Sequence, residues 1–294
     1  ITWEEADKSF INCKIRLGGL NGGHSGMEIN KGRGNAIKLM GRFLMSLKSV
    51  MEFKINSISG GAKNNAIPRD ADAVILFRKD DEATVIQKLS EWNETFENEF
   101  NDIDPNIKLV METLGQKVEK TFSDDTAKKA LQILFLIPNG IQNMSMAIEG
   151  LVQSSTNIGV LTTSEENVEF DSAIRSSVKT LKKAICDETI VLAEMVGATI
   201  EFKSDYPEWQ YNPKSRIRSV LEKVYKDING KLPEISAIHA GLECGLFSDK
   251  FEGKLDQISF GPNIYDVHTP KEHISISSTD RMWSYLIAVL KELK

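Results

Sequence analysis

The sequence runs to 294 residues, 41% of them hydrophobic, which is enough to bury a sizeable core and to form two domains rather than one. Its 36 Lys and Arg stand against 42 Asp and Glu, a formal charge of -6, and neither a basic run nor an apolar run of about 20 residues occurs, which argues against nucleic acid and against a membrane as partners. Three cysteines, Cys13, Cys186 and Cys244, are far apart and odd in number; they offer neither a disulfide framework nor a metal clip and point to a reducing cytoplasm.

The chain opens at Ile1 directly into patterned sequence, as a fragment would, and ITWEEADKSF lacks the parts of a signal peptide. Ile11, Cys13, Ile15 and Leu17 alternate with polar residues and predict a half-buried strand, followed by a glycine-rich turn over Gly18 to Gly26. Ala36, Leu39, Met40, Phe43, Leu44 and Leu47 recur at helical spacing. Strands are expected over Met51 to Ile58 and Ala71 to Phe77, joined by the turn GGAKNNAIP, then a helix near Glu82 to Phe100 and a strand at Ile107 to Met111. This β-α-β-β-α-β order is the split βαβ arrangement of a ferredoxin-like sandwich.

A looser version follows: a helix around Thr126 to Leu136 that stops at Pro138-Asn139-Gly140, strands at Gly150 to Leu161 and Asn167 to Ile174, a helix over Ser177 to Val196, and a closing strand suggested by Ile200 and Phe202. Beyond Tyr206-Pro207-Glu208-Trp209 the pattern changes. Ile217, Val220, Leu221, Val224 and Ile228 mark a helix ending at Asn229-Gly230; short buried strands are expected at Ile235 to Ile238 and Leu255 to Phe260, and a last helix carries Met282, Tyr285, Leu286, Val289 and Leu290. Helices alternating with short strands suggest the end of an α/β sheet, with a domain boundary near Ser204.

Chemistry concentrates in Gly22-Gly23-His24-Ser25-Gly26 and the following Gly32-Arg33-Gly34-Asn35-Ala36. Glycines permit turns closed to other residues and can hold a histidine out where a substrate reaches it. A phosphate cradle is disfavoured, because GRGNAI lacks the third glycine of GxGxxG and no GKS or GKT follows. The residues alone leave open whether His24 serves a substrate or caps a tight turn. Glu119, Lys120 and the pair Glu165-Glu166 read as solvated faces, and His273 as a surface side chain.

Taken together, GGHSG, GRGNA, NNAIPRDA, PNGIQNMS, GLVQSSTNIGV, AIHAGLECGLF and ISFGPNIYDVHTP run in order along nearly the whole chain. They resemble the M20 peptidases, specifically the aminoacyl-histidine dipeptidases. The resemblance implies an α/β fold built of a ferredoxin-like lid and dimerisation domain, residues 1–204, and the C-terminal part of a zinc-peptidase catalytic domain, residues 205–294. It implies hydrolysis of dipeptides, including Xaa-His and carnosine-like substrates, by a homodimer using two zinc ions per complete site. Most of that family's zinc ligands precede GGHSG and have no counterpart here, so the chain is expected to be an incomplete and inactive part. Competing expectations are a non-catalytic dimerisation and substrate-binding module, and a related M20 aminoacylase or desuccinylase; HAGLECG and the PNG segment favour the dipeptidase branch.

Carried onto this sequence, the resemblance makes His268 the remaining zinc ligand. It makes His24 the lid histidine that donates a hydrogen bond to the oxyanion, reaching in dimeric relatives the other subunit's site. Arg175 takes the part of the lid arginine that binds the substrate's C-terminal carboxylate. Asn65 lies in a turn near substrate, while His239 and Gly241 line the pocket from the catalytic side.

Overall fold

A short strand, β1 (Trp3–Glu5), precedes the alternating run, which forms β2 (Ile11–Gly18) with Cys13, Ile15 and Leu17 wholly buried. The computed structural model describes residues 1–236, 242–265 and 271–294. After a two-residue strand β3 (Gly23–His24) comes helix α1 (Ala36–Lys48), which starts where the Asn35 side chain accepts the Lys38 N–H at 3.2 Å. Its apolar stripe of Met40, Phe43, Leu44 and Leu47 is completely buried, each side chain contributing roughly 1.5 to 3 kcal/mol of transfer free energy. Next are β4 (Lys54–Gly61), β5 (Ala66–Ile67), β6 (Ala71–Phe77), α2 (Glu82–Phe100), β7 (Lys108–Thr113) and β8 (Lys120–Phe122). β4, β6, β2 and β7 lie side by side in that order, all antiparallel, which is the expected split βαβ arrangement. β1 pairs with β8, and Trp3 packs on Phe122 with ring centroids 5.3 Å apart.

The second half contains α3 (Asp124–Leu136), β9 (Gly140–Met144), β10 (Val152–Thr163), β11 (Val168–Ser176) and α4 (Lys179–Val196). α3 opens on a Ser123 cap and closes on Lys38, whose ammonium donates to the carbonyls of Leu134, Phe135 and Ile137 at 3.1, 2.6 and 2.9 Å. β10 pairs with β11 along one edge; its other edge is shared by β9 and, past a bulge between Ile158 and Val160, by β4 through Val160 and Leu161. Both halves therefore belong to one seven-stranded sheet instead of two sandwiches. The closing strand expected at Ile200 and Phe202 is absent. α4 ends in a left-handed turn at Gly197, and both apolar residues emerge exposed with no sheet edge to receive their backbone.

These elements make one compact unit, Ile1–Lys203; Ser204–Lys294 form another. The latter is built on α5 (Arg216–Asn229), capped by Ser215 and ended by Gly230, with α6 (Glu243–Lys250), the two-residue strands β12 (Ile264–Tyr265) and β13 (His273–Ile274), and α7 (Ile276–Glu292). Leu221, Val224, Tyr285 and Val289 form its core, and the Tyr285 hydroxyl donates to the Leu221 carbonyl at 2.7 Å. The expectation of short buried strands fails at Leu255 to Phe260, where both end residues are exposed and no described strand lies alongside.

Candidate active site

The glycine-rich loop is tied down by carboxylates. Asp104, completely buried, accepts the Asn21 N–H at 2.7 Å and the Gly34 N–H at 2.8 Å, so one side chain holds both ends of the loop. Inside it, Glu28 accepts the His24 N–H at 2.8 Å and pairs with Lys31 at 2.9 Å and Arg33 at 3.1 Å. The Lys31 bond, followed by the His24 N–H, holds the Glu28 carboxyl down at about 2. Gly23 has φ of 140°, and a Cβ there would lie 2.3 Å from the Arg33 guanidinium, so only glycine fits.

His24 is half-buried in a short ribbon with β5, opposite Ala66, and the next N–H, of Ser25, donates to the Asn65 carbonyl at 2.9 Å. Its Nδ1 accepts two backbone N–H groups, from Gly26 at 3.1 Å and Met27 at 3.0 Å. An acceptor carries no proton, so the ring hydrogen sits on Nε2, which has no partner among the described residues. Burial lowers the His24 pKa, and the positive charge of Arg175 lowers it further, against an opposing pull from Glu28. His24 is thus held as a neutral imidazole presenting an N–H donor.

Arg175 stands on β11 opposite Ser155 of β10, half-buried, and its Nε is buried without a hydrogen-bond partner. Burial lowers its pKa, yet a guanidinium stays charged throughout the accessible range. It makes no ion pair with any described residue, so a partly desolvated cation is left with unused donors beside a neutral N–H. Asn65 is exposed in the turn before β5; its backbone carbonyl supports Ser25, and its side chain makes no hydrogen bond among the described residues. The structure brings His24, Asn65 and Arg175 to one region of the first unit. His239, Gly241 and His268 lie outside the described residues.

A buried set of asparagines lies beneath these residues, and the sequence reading did not single it out. Asn35 Nδ2 donates to Asn139 Oδ1 at 3.1 Å, Asn157 Oδ1 at 3.2 Å and the Ile158 carbonyl at 2.9 Å. Asn157 Nδ2 donates in turn to the carbonyls of Asn64 at 3.1 Å and Ala66 at 2.9 Å. GRGNA, PNGIQNMS, SSTNIGV and NNAIPRDA thus meet in one polar cluster. The available signal was Asn157, a polar residue inside an otherwise strand-like run.

Comparison with known proteins finds relatives in both sequence and structure. Residues 15–104 match the peptidase dimerisation domain of the M20 family. The cytosol non-specific dipeptidase of Escherichia coli K12 is 34% identical over 292 residues, covering 99% of this chain and 59% of that protein. The crystal structure of an aminoacylhistidine dipeptidase from Vibrio alginolyticus matches with a TM-score of 0.94 at 33% identity, covering 99% of this chain and 59% of that one. The chain belongs to the M20 peptidases.

This M20 chain spans about three-fifths of the length of the relatives it matches. The family resemblance implies zinc, which in a catalytic site takes about three protein ligands. Among the described residues no group of three or more His, Cys, Asp or Glu is arranged to hold a metal. The described residues do not fit a zinc site; what they offer is the charge of Arg175 and the N–H of His24, a pairing suited to a small molecule with a terminal carboxylate and a nearby carbonyl. No described helix is long and apolar enough to cross a membrane.

Proposed function

We propose that this M20 chain clamps a dipeptide for hydrolysis in the complete enzyme, Arg175 binding the substrate's C-terminal carboxylate and His24 Nε2–H donating to the carbonyl oxygen of the bond to be cut. The observation that carries the reading is the half-buried guanidinium whose Nε has no hydrogen-bond partner, together with a His24 ring whose Nδ1 accepts two backbone N–H groups and leaves Nε2–H to donate. A planar guanidinium matches a carboxylate through two parallel hydrogen bonds, and a donor aimed at a carbonyl acts most strongly when charge builds on that oxygen. Asn65 is a further candidate for substrate contact from the adjoining turn, and the family resemblance adds His239 and Gly241.

Arg175 reads the chain end and not the side chain, so this part of the site accepts any C-terminal residue. The finer preference for Xaa-His substrates is supported by the name of the Vibrio relative, and broader use by that of the Escherichia coli one. Zinc dependence, with His268 as a ligand, rests on the family resemblance. A homodimer joined through the first unit is supported by the match to the dimerisation domain, and a cytoplasmic location by the cysteine usage and the cytosolic relative.

The test compares free and C-terminally amidated dipeptides in the full-length protein. Arg175→Ala should lower kcat/KM on free dipeptides by about 2 to 5 kcal/mol, the loss expected when one member of a desolvated charge pair is removed. Amidated substrates should scarcely respond. Equal losses on both would remove the clamp.

A further inference from the structure

The His24 ribbon touches the main sheet through few groups. β3 and β5 pair only with each other, as Gly23 with Ile67 and His24 with Ala66. β5 and its preceding turn lie over the face of β10 and β11 that carries Arg175, because Asn157 and Ser155 stand opposite Ala173 and Arg175 and so share their face. Asn157 makes the join. It is 2% exposed, and both hydrogens of its Nδ2 are used, one on the Asn64 carbonyl and one on the Ala66 carbonyl. Its Oδ1 is fixed from behind by Asn35, the residue that caps α1. The amide is therefore fully engaged and cannot turn without orphaning buried groups.

The backbone at the same place is shaped for this contact. Gly159 sits in the bulge of β10, and a Cβ on it would lie 2.3 Å from the Asn64 Cα. The turn at Asn64 thus passes directly over the strand, close enough for the Asn157 side chain to reach the next carbonyls.

We propose that Asn157 is a positioning residue that fixes His24 relative to Arg175, its amide bridging the strand beside the carboxylate clamp to the backbone of the strand paired with His24. Asn157 touches no substrate in this account. It sets where the donor sits while the clamp stays in place. The proposal rests on His24 acting as the donor, as argued under the proposed function.

A double-mutant cycle in the full-length protein tests it, with kcat measured for wild type, Asn157→Ala, His24→Ala and the double variant. Misplacing a catalytic group by about 1 Å costs on the order of 100-fold, so Asn157→Ala should lower kcat by roughly 10- to 100-fold with little change in KM for free dipeptides. In the His24→Ala background the same substitution should change kcat by less than about twofold, because the group it positions is gone. Equal factors in both backgrounds would overturn the proposal. If His24→Ala leaves kcat intact, it is the donor reading that fails, and the positioning proposal falls with it. Asn157→Leu guards against a folding defect, since it is close in size and takes away the amide without leaving a cavity or burying a charge; folded by its thermal melt, it should show the same dependence on His24, and independence of His24 would equally overturn the proposal.

Discussion

His24 draws its chemistry from what surrounds one ring nitrogen. Two backbone N–H groups converge on Nδ1, so protonating that atom would break both bonds and bring a second positive charge near Arg175. The neutral form is favoured, and the imidazole should titrate below the roughly 6.5 of a free histidine. The sign carries into stability: as pH falls below about 6.5 the unfolded chain takes up a proton that the folded chain resists, so this group's contribution is present above that pH and is lost on acidification. Histidine resonances followed by NMR should place the His24 midpoint below those of exposed histidines, and Arg175→Ala should move it upward. A midpoint indifferent to Arg175 would mean that the two charges do not meet. His24 and Arg175 were legible as candidates from the family motifs around them. Asn157 and Asp104 were not, because burial gives a polar residue its role, and no spacing in the sequence announces that an asparagine in a strand will face a loop 90 residues away.

Elements were legible where one periodicity ran long enough. The stripe of α1 and the alternation of β2 each bury a whole face, and the four strands of the first half take the order their pattern implies. Ile200 and Phe202 alternate too, but two residues without an adjoining sheet edge make no strand. The ribbon of β3 and β5 has the opposite character, being too short for any period and held by side chains elsewhere. Its dependence on close backbone passage can be tested at Gly159, where Ala would push a methyl group against Asn64. Gly159→Ala should destabilise the protein by about 1 to 3 kcal/mol, the cost of overpacking, seen as a lower urea midpoint at unchanged slope. Gly115→Ala serves as control, since a Cβ there meets nothing within 4 Å and its φ is not positive; it should be near neutral. Equal shifts for the two would show that the turn yields freely.

For the molecule as a whole, the decisive feature of the first unit is that two successive halves share one sheet. His24 comes from the first half and Arg175 from the second, and with the two halves joined where β4 pairs with β10 the charge of Arg175 contributes to lowering the His24 pKa within a single chain. The resemblance to dimeric relatives implies that the lid histidine reaches the other subunit's site, which is a separate matter from whether His24 and Arg175 share a chain. If donor and clamp come from one chain, mixing defective chains cannot rebuild the pair. The experiment combines full-length His24→Ala with full-length Arg175→Ala under conditions that exchange subunits, verified by mass-tagged chains. Every subunit in the mixture then lacks one member of the pair, and activity should stay at the level of the parents. If donor and clamp instead belonged to different chains, random re-pairing would make about half the dimers mixed, each with one intact site of two, and about a quarter of wild-type activity would return. The outcome does not depend on which chain holds the metal, because both substitutions lie in the same unit, so recovered activity would place His24 and Arg175 on different chains of a shared site.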